Sequence, residues 1–156
     1  MISVIIPLYN KAHTIVNTLT TVMKQTYNDF EVIIVNDGST DNGVEVINSH
    51  FHDSKITIIN QKNAGVSAAR NRGVDESKGE WIAFLDGDDE WHPKYLETMY
   101  NLIQKYPDSG LFLCGGLIHN ANGSTNIRIA KGYEGFSGHI NLFENPPIFS
   151  HTSATI

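Results

Sequence analysis

The sequence predicts an α/β fold, a three-layer α/β/α sandwich with a mostly parallel central sheet. Short apolar runs alternate with segments of helical period, the rhythm of strand–helix–strand units. The runs are continuously apolar rather than alternating, which implies strands buried on both faces. Polar clusters follow four successive runs, at the strand ends where open parallel sheets bind ligands.

Each element has its own signal. Ser3-Val4-Ile5-Ile6 is a first strand, expected to stop at Pro7. Ile15, Leu19, Val22 and Met23 recur on one face of a first helix. Phe30 to Val35 is a second strand, rich in β-branched residues. Val44, Ile47 and Phe51 mark a second helix, with Asp41 as its N-cap. Ile56-Thr57-Ile58-Ile59 is a third strand. Val66, Ala69, Gly73 and Val74 define a third helix whose small residues imply close packing. Trp81 to Leu85 is a fourth strand, and Pro93 suits the first turn of a fourth helix with inner face Leu96, Met99, Tyr100 and Ile103. Leu111 to Cys114 reads as a fifth strand. Ile118-His119 and Ile127-Arg128-Ile129 flank Asn122-Gly123, a hairpin signal. Gly132, Gly135 and Gly138 space a looser segment with Tyr133 and Phe136, and Pro146-Pro147 precede the end.

Composition narrows the function. At 156 residues the chain is long enough for one domain with a real core. Its net charge of −6 provides no basic field for nucleic acid. One cysteine, Cys114, rules out an intramolecular disulfide and reads as a buried core thiol. No run approaches the ~20 apolar residues of a spanning helix, and Met1 leads straight into a strand, so no secretory signal is visible. Asn122-Gly123-Ser124 matches a glycosylation sequon but reads as a turn. The seven histidines form no metal set, with His50 and His52 a solvated pair, and no P-loop, Gly-x-Gly-x-x-Gly or Gly-x-Ser-x-Gly motif occurs.

The chemistry-bearing residues lie at the strand ends. Asp86-Gly87-Asp88-Asp89 places three carboxylates in four positions, which a cation, a hydroxyl-rich ligand or bulk water must relieve. In an extended segment Asp86 and Asp88 point the same way, toward a shared ligand. The plainer role is to start the next helix against its positive dipole end. Asp37, in Asn-Asp-Gly-Ser-Thr-Asp, has the acceptor a nucleobase N–H needs, or forms a capping turn. Tyr9 offers a ring to a base, or packs on a loop. Residues 63–73 open a helix at Gly65, where exposed N–H groups favour an anion. One of Arg70 and Arg72 is placed to reach a diphosphate while the other is solvated or pairs with a surface acid. An ordinary helix with two surface arginines is the alternative.

Together, Val4-Ile5-Ile6-Pro7-Leu8-Tyr9-Asn10, residues 35–41, residues 63–65 with 69–73, and Phe84-Leu85-Asp86-Gly87-Asp88-Asp89 resemble the family 2 glycosyltransferases of GT-A fold, in order and spacing over roughly the first 95 residues. The resemblance implies a Rossmann-like nucleotide-diphospho-sugar site in residues 1–115, with residues 116–156 beginning an acceptor-side part that ends early. It implies Pro7, Tyr9 and Asp37 around the base, Arg70 near the diphosphate, Asp86 by the ribose or sugar, and Asp88 on Mn²⁺ or Mg²⁺, with Asp89 a second candidate. Asn36 departs from the family's frequent first aspartate, changing a ribose contact, and Gly87 replaces a more usual Ala or Ser. The implied activity is inverting transfer from a nucleotide-diphosphate sugar, UDP-linked by preference, to a glycan or lipid-linked acceptor in the cytoplasmic assembly of bacterial surface polysaccharide. Peripheral membrane contact and a homodimer are compatible with it. The family's general base lies beyond the hairpin region. Glu134 and Glu144 match no motif, so no base is assigned and a nucleotide-sugar-binding module without turnover stands as the alternative. A phospho-acceptor receiver domain needs paired acids after the first strand, where Leu8-Tyr9-Asn10 stand, and a nucleotidyltransferase needs a Gly- and Arg-rich loop there.

Overall fold

A computed structural model describes residues 1–120 and 122–128. The expectations for Ile129, Gly132, Tyr133, Glu134, Gly135, Phe136, Gly138, Glu144, Pro146-Pro147 and the last residues lie outside that range.

The chain runs β1 (Ile2–Leu8), α1 (Ile15–Met23), β2 (Phe30–Asp37), α2 (Gly43–His50), β3 (Ile56–Gln61), α3 (Val66–Asp75), β4 (Trp81–Phe84), α4 (Tyr95–Lys105), then β5 (Gly116–His119) and β6 (Thr125–Arg128). The first four strands form one parallel sheet in the order β3-β2-β1-β4. The chain steps outward from β1 to β3, then crosses back to lay β4 beside β1. Right-handed crossovers therefore put α1 and α2 on one face and α3 on the other.

Period-two alternation divides the core. Ile2, Val4, Ile6 and Leu8 share a buried cluster with Val32, Ile34, Leu19, Val22, Ile47, Leu96, Met99 and Ile103. On the opposite face Ile33 and Val35 pack against Ala69 of α3. At Gly73, one turn farther along α3, a Cβ would stand 2.3 Å from Ile5 Cγ2, so only glycine lets helix and sheet approach this closely. Val66 and Val74, expected on the inner face of α3, are exposed. The small residues make the contact.

Several expected boundaries move. The first strand does not stop at Pro7, which continues in register opposite Val35. The Leu85 N–H donates to Ile5 O (3.1 Å), so odd-numbered β1 residues turn their polar backbone toward β4. β4 pairs only as far as Ile5↔Phe84, so Pro7 lacks an N–H where no ladder partner remains. Pro93 precedes α4, and its carbonyl accepts the Thr26 N–H (2.9 Å). Leu111 to Cys114 is not a strand. Only Leu113 makes a bridge, while Phe112 packs edge-on against Trp81 at 5.7 Å. Cys114 is half-buried rather than fully buried, and burial raises its pKa. The hairpin forms as expected, β5 and β6 being antiparallel around Gly123 at φ +82°. No helix among the described residues is long and apolar enough to cross a membrane.

Candidate functional site

Because all four main-sheet strands are parallel, the loops after β1, β2, β3 and β4 open on one edge. Hydrogen bonds tie these loops into a single rim. Asn10 follows β1 in the left-handed region at φ +53°, a conformation asparagine tolerates better than most residues. Its Oδ1 accepts the Thr40 N–H (2.8 Å), the Thr40 hydroxyl (3.2 Å) and the Asp41 N–H (3.3 Å), while its own N–H donates to Ser39 Oγ (3.1 Å). Asp41 spans the same two loops. Its Oδ2 accepts the Ala12 N–H (2.8 Å) and its Oδ1 the Gly43 N–H (3.1 Å), although the helix cap itself falls at Asn42. Asn36 donates to Asn60 Oδ1 (2.8 Å) and accepts the Ser39 N–H (3.1 Å), a pair of roles an aspartate cannot fill.

Asp37 closes β2 and is 3% exposed. Its Oδ1 accepts from Gln61 Nε2 (2.7 Å) and the Ala64 N–H (2.9 Å), and its Oδ2 from the Gly65 N–H (2.8 Å). Burial alone raises such a carboxyl, but these three bonds outweigh it and hold the pKa below the ordinary aspartate value. Asp37 thereby moulds the loop entering α3. Gly38 permits the approach: it sits at φ +69°, and a Cβ there would stand 2.8 Å from the Asn63 nitrogen. Gly65, at φ +90°, starts α3 without a side-chain cap, leaving its first N–H groups unclaimed by helical acceptors.

Residues 86–89 form a turn closed by the Asp89 N–H on Asp86 O (3.0 Å). The expectation that Asp86 and Asp88 share a direction presumed an extended segment and does not hold as argued. Each carboxylate instead meets its own cation. Asp86 Oδ1 accepts from Arg70 Nη2 (2.6 Å), and Asp88 Oδ2 from Lys11 Nζ. The Arg70 Nε is buried with no partner among the described residues. Arg72 pairs with Glu76 (2.6 Å) on the surface, as one of the two arginines was expected to do. Tyr9 stands 49% exposed on the rim, and Pro7 lies near the end of β1, half-buried. His50 and His52 are exposed and distant in sequence from every rim loop.

Asp37, Arg70, Asp86, Asp88, Asp89, Pro7 and Tyr9 therefore all fall on or beside the loops at this edge. Sequence reasoning missed Lys11, Gln61 and the organising role of Asn10. Asn10 carried a signal, being an asparagine just past a strand. Lys11 carried none, because its partner lies 77 residues away.

Among the described residues no three His, Cys, Asp or Glu side chains cluster as a ready-made metal site. The donor set nonetheless suits a hard divalent cation completed by phosphate oxygens. Asp88 keeps one oxygen without a hydrogen-bond partner among the described residues, the kind of ligand such an ion takes.

The profile of the family described as "Glycosyl transferase family 2" matches residues 3–155. The chain is 41% identical over 102 residues to the uncharacterized glycosyltransferase YibD of Escherichia coli, covering 65% of this chain and 30% of that protein. It is 38% identical over 112 residues to the amylovoran biosynthesis glycosyltransferase AmsB of Erwinia amylovora, covering 69% of this chain and 37% of that protein. The chain thus spans about a third of the length of these curated relatives. Among solved structures it resembles residues 1–349 of S. aureus TarS in complex with UDP-GlcNAc, with TM-score 0.67 and 28% identity over 72% of this chain and 33% of that one.

Proposed function

Since this chain belongs to the family 2 glycosyltransferases, we propose that it forms the donor-binding part of an inverting enzyme that moves a sugar from a nucleotide diphosphate, UDP by preference, to an acceptor hydroxyl. The observation that carries this reading is the gathering of a charged, buried Asp37, an under-used Arg70 and an accessible Asp88 on one edge of a parallel sheet. Exposed Tyr9, with Pro7, offers a flat face to the base. Asp37 Oδ2 accepts one protein N–H and retains a lone pair for a base N–H. Arg70, held through Nη2 on Asp86, brings its guanidinium charge, and α3 its first turn, to a diphosphate. Asp86 is left to a ribose or sugar hydroxyl.

Asp88, with Asp89 beside it, would hold Mn²⁺ or Mg²⁺, which when bound supplies Lewis-acid stabilisation of the departing diphosphate. The general base is unassigned, Glu134 and Glu144 lying outside the described residues. The UDP-GlcNAc in TarS supports the choice of donor, and the name of AmsB supports a biosynthetic role; we place that role in surface polysaccharide assembly, in the cytoplasm or against the membrane where acceptors are lipid-linked.

Thermal unfolding with a panel of nucleotides and nucleotide sugars, with and without Mn²⁺, tests the proposal. UDP with Mn²⁺ should raise Tm by about 5 °C at a ligand excess of about a hundredfold over Kd, more than either alone. Asp88→Ala should remove the metal-dependent increment. Absence of any nucleotide effect, with or without metal, counts against the site.

A further inference from the structure

We propose that Lys11 is the resident counter-ion of Asp88, holding that carboxylate until a divalent cation displaces it, so that metal entry and lysine release are a single exchange. The inference rests on the donor-binding reading above and concerns how its metal step is regulated.

The two rim ion pairs are built differently. Arg70 reaches Asp86 as a planar group with its Nε buried, and the side chains are 20% and 33% exposed. Lys11 and Asp88 are 35% and 43% exposed, and the contact is made by the end of a flexible four-carbon chain. Only the end of Lys11 is free to leave. Its carbonyl accepts the Thr14 N–H (3.1 Å) and the Ile15 N–H (3.0 Å). The Thr14 hydroxyl donates to Gly87 O (2.8 Å), fastening the Lys11 loop to the acidic turn. A Cβ at Gly87 would meet Lys11 Cβ and Cγ at 3.6 Å, so the lysine stem runs past that glycine. The backbone geometry thus sets Lys11 beside Asp88 while only the ion pair itself holds the ammonium.

A dication on Asp88 and an ammonium on the same carboxylate repel each other at a few ångströms, so the two compete. The displaced ammonium then lies beside the proposed diphosphate position, where it serves as a point-charge donor to phosphate. Nucleotide therefore favours metal entry by accepting the released lysine, and metal favours nucleotide to the same extent.

Mn²⁺ titration followed by electron paramagnetic resonance, with and without UDP, reads this directly. The forms compared are the unaltered chain, Lys11→Met, Lys11→Gln, Lys11→Arg and Asp88→Asn. Lys11→Met keeps the apolar stem and removes the charge, and Lys11→Gln is a second neutral replacement. Both should bind Mn²⁺ alone about three- to fivefold more tightly than the unaltered chain, and the enhancement by UDP should shrink by a similar factor. Lys11→Arg should stay within about twofold, and Asp88→Asn should lose the metal. If UDP brings Mn²⁺ to the unaltered chain but the neutral variants bind it no better, the lysine exchange is wrong and the donor site stands. If Mn²⁺ binds no form even with UDP, both readings fail.

Discussion

Asp37 is 3% exposed yet charged, because three N–H donors engage both of its oxygens. Replacing it with asparagine keeps the shape and removes this match. Whichever way the amide is turned, its NH₂ faces an N–H, from Gly65 on one side or from Gln61 and Ala64 on the other. Asp37→Asn should cost about 1–3 kcal/mol in urea unfolding at pH 7, as expected for lost bonds to a charged acceptor. The pH dependence has a definite sign. The folded-state pKa is depressed, so the native form binds fewer protons, and the contribution is complete above the ordinary aspartate value. It is lost as pH falls below about 4 and through the folded pKa. The stability gap between the unaltered chain and Asp37→Asn should therefore narrow on acidification, and a gap independent of pH would show that the charge is not what holds the loop. The sequence marked Asp37 as a carboxylate at a strand end. Its partners lie 24 to 28 residues onward, and nothing local announces them. Lys11 was illegible for the same reason.

At the scale of elements, α3 is held to the sheet by what its side chains lack. A Cβ at Gly73 would overlap Ile5 Cγ2, whereas alanine improves intrinsic helix propensity by about 1 kcal/mol. Overpacking a tight contact costs about 1–3 kcal/mol, so Gly73→Ala should be destabilising on balance. Removing the obstruction should change the sign. In an Ile5→Ala background, itself weakened by a cavity, Gly73→Ala should cost nothing or stabilise, and a double-mutant cycle by urea unfolding measures the difference. Equal costs in both backgrounds would place the clash elsewhere. The parallel strands, the four helices following them and the hairpin were legible because hydrophobic period reports burial directly. Boundaries were less so, since neighbours decide them. Pro7 remains in a strand because β4 ends before reaching it. Leu111 to Cys114 is apolar enough for a strand, but Phe112 alone of the run is buried, edge-on against Trp81, while Leu111 is exposed. The turn at residues 86–89 defeated the alternation argument because a backbone bond from Asp89 to Asp86 bends a segment whose composition is silent about its shape.

For the whole molecule, a parallel sheet has two unlike ends. At one, Ser3 and the Lys78 N–H converge on Glu31 Oε1 at 2.7 Å each, the Gly79 N–H reaches Ser3 Oγ (2.8 Å), and the Met1 amine meets Asp29 (2.9 Å). Those groups satisfy one another and secure the start of the strands. At the other end the partners cross between loops, and capacity remains at Arg70, Asp88 and the first turn of α3. A ligand bridging that end should act on several loops together, because Asn10 and Asp41 join the first two and Asp37 joins the second to the third. Hydrogen exchange with UDP and Mn²⁺ should therefore slow amides in residues 10–12, 38–41, 63–68 and 86–89 as a group. Amides near Gly79 and Asp29 should exchange at the ligand-free rate. Val66, Ser67 and Ala68 are the most informative probes, since their N–H groups have no helical acceptor and gain protection chiefly from an anion seated against them. Slowing confined to one loop would mean the four strand ends share an edge without sharing a ligand.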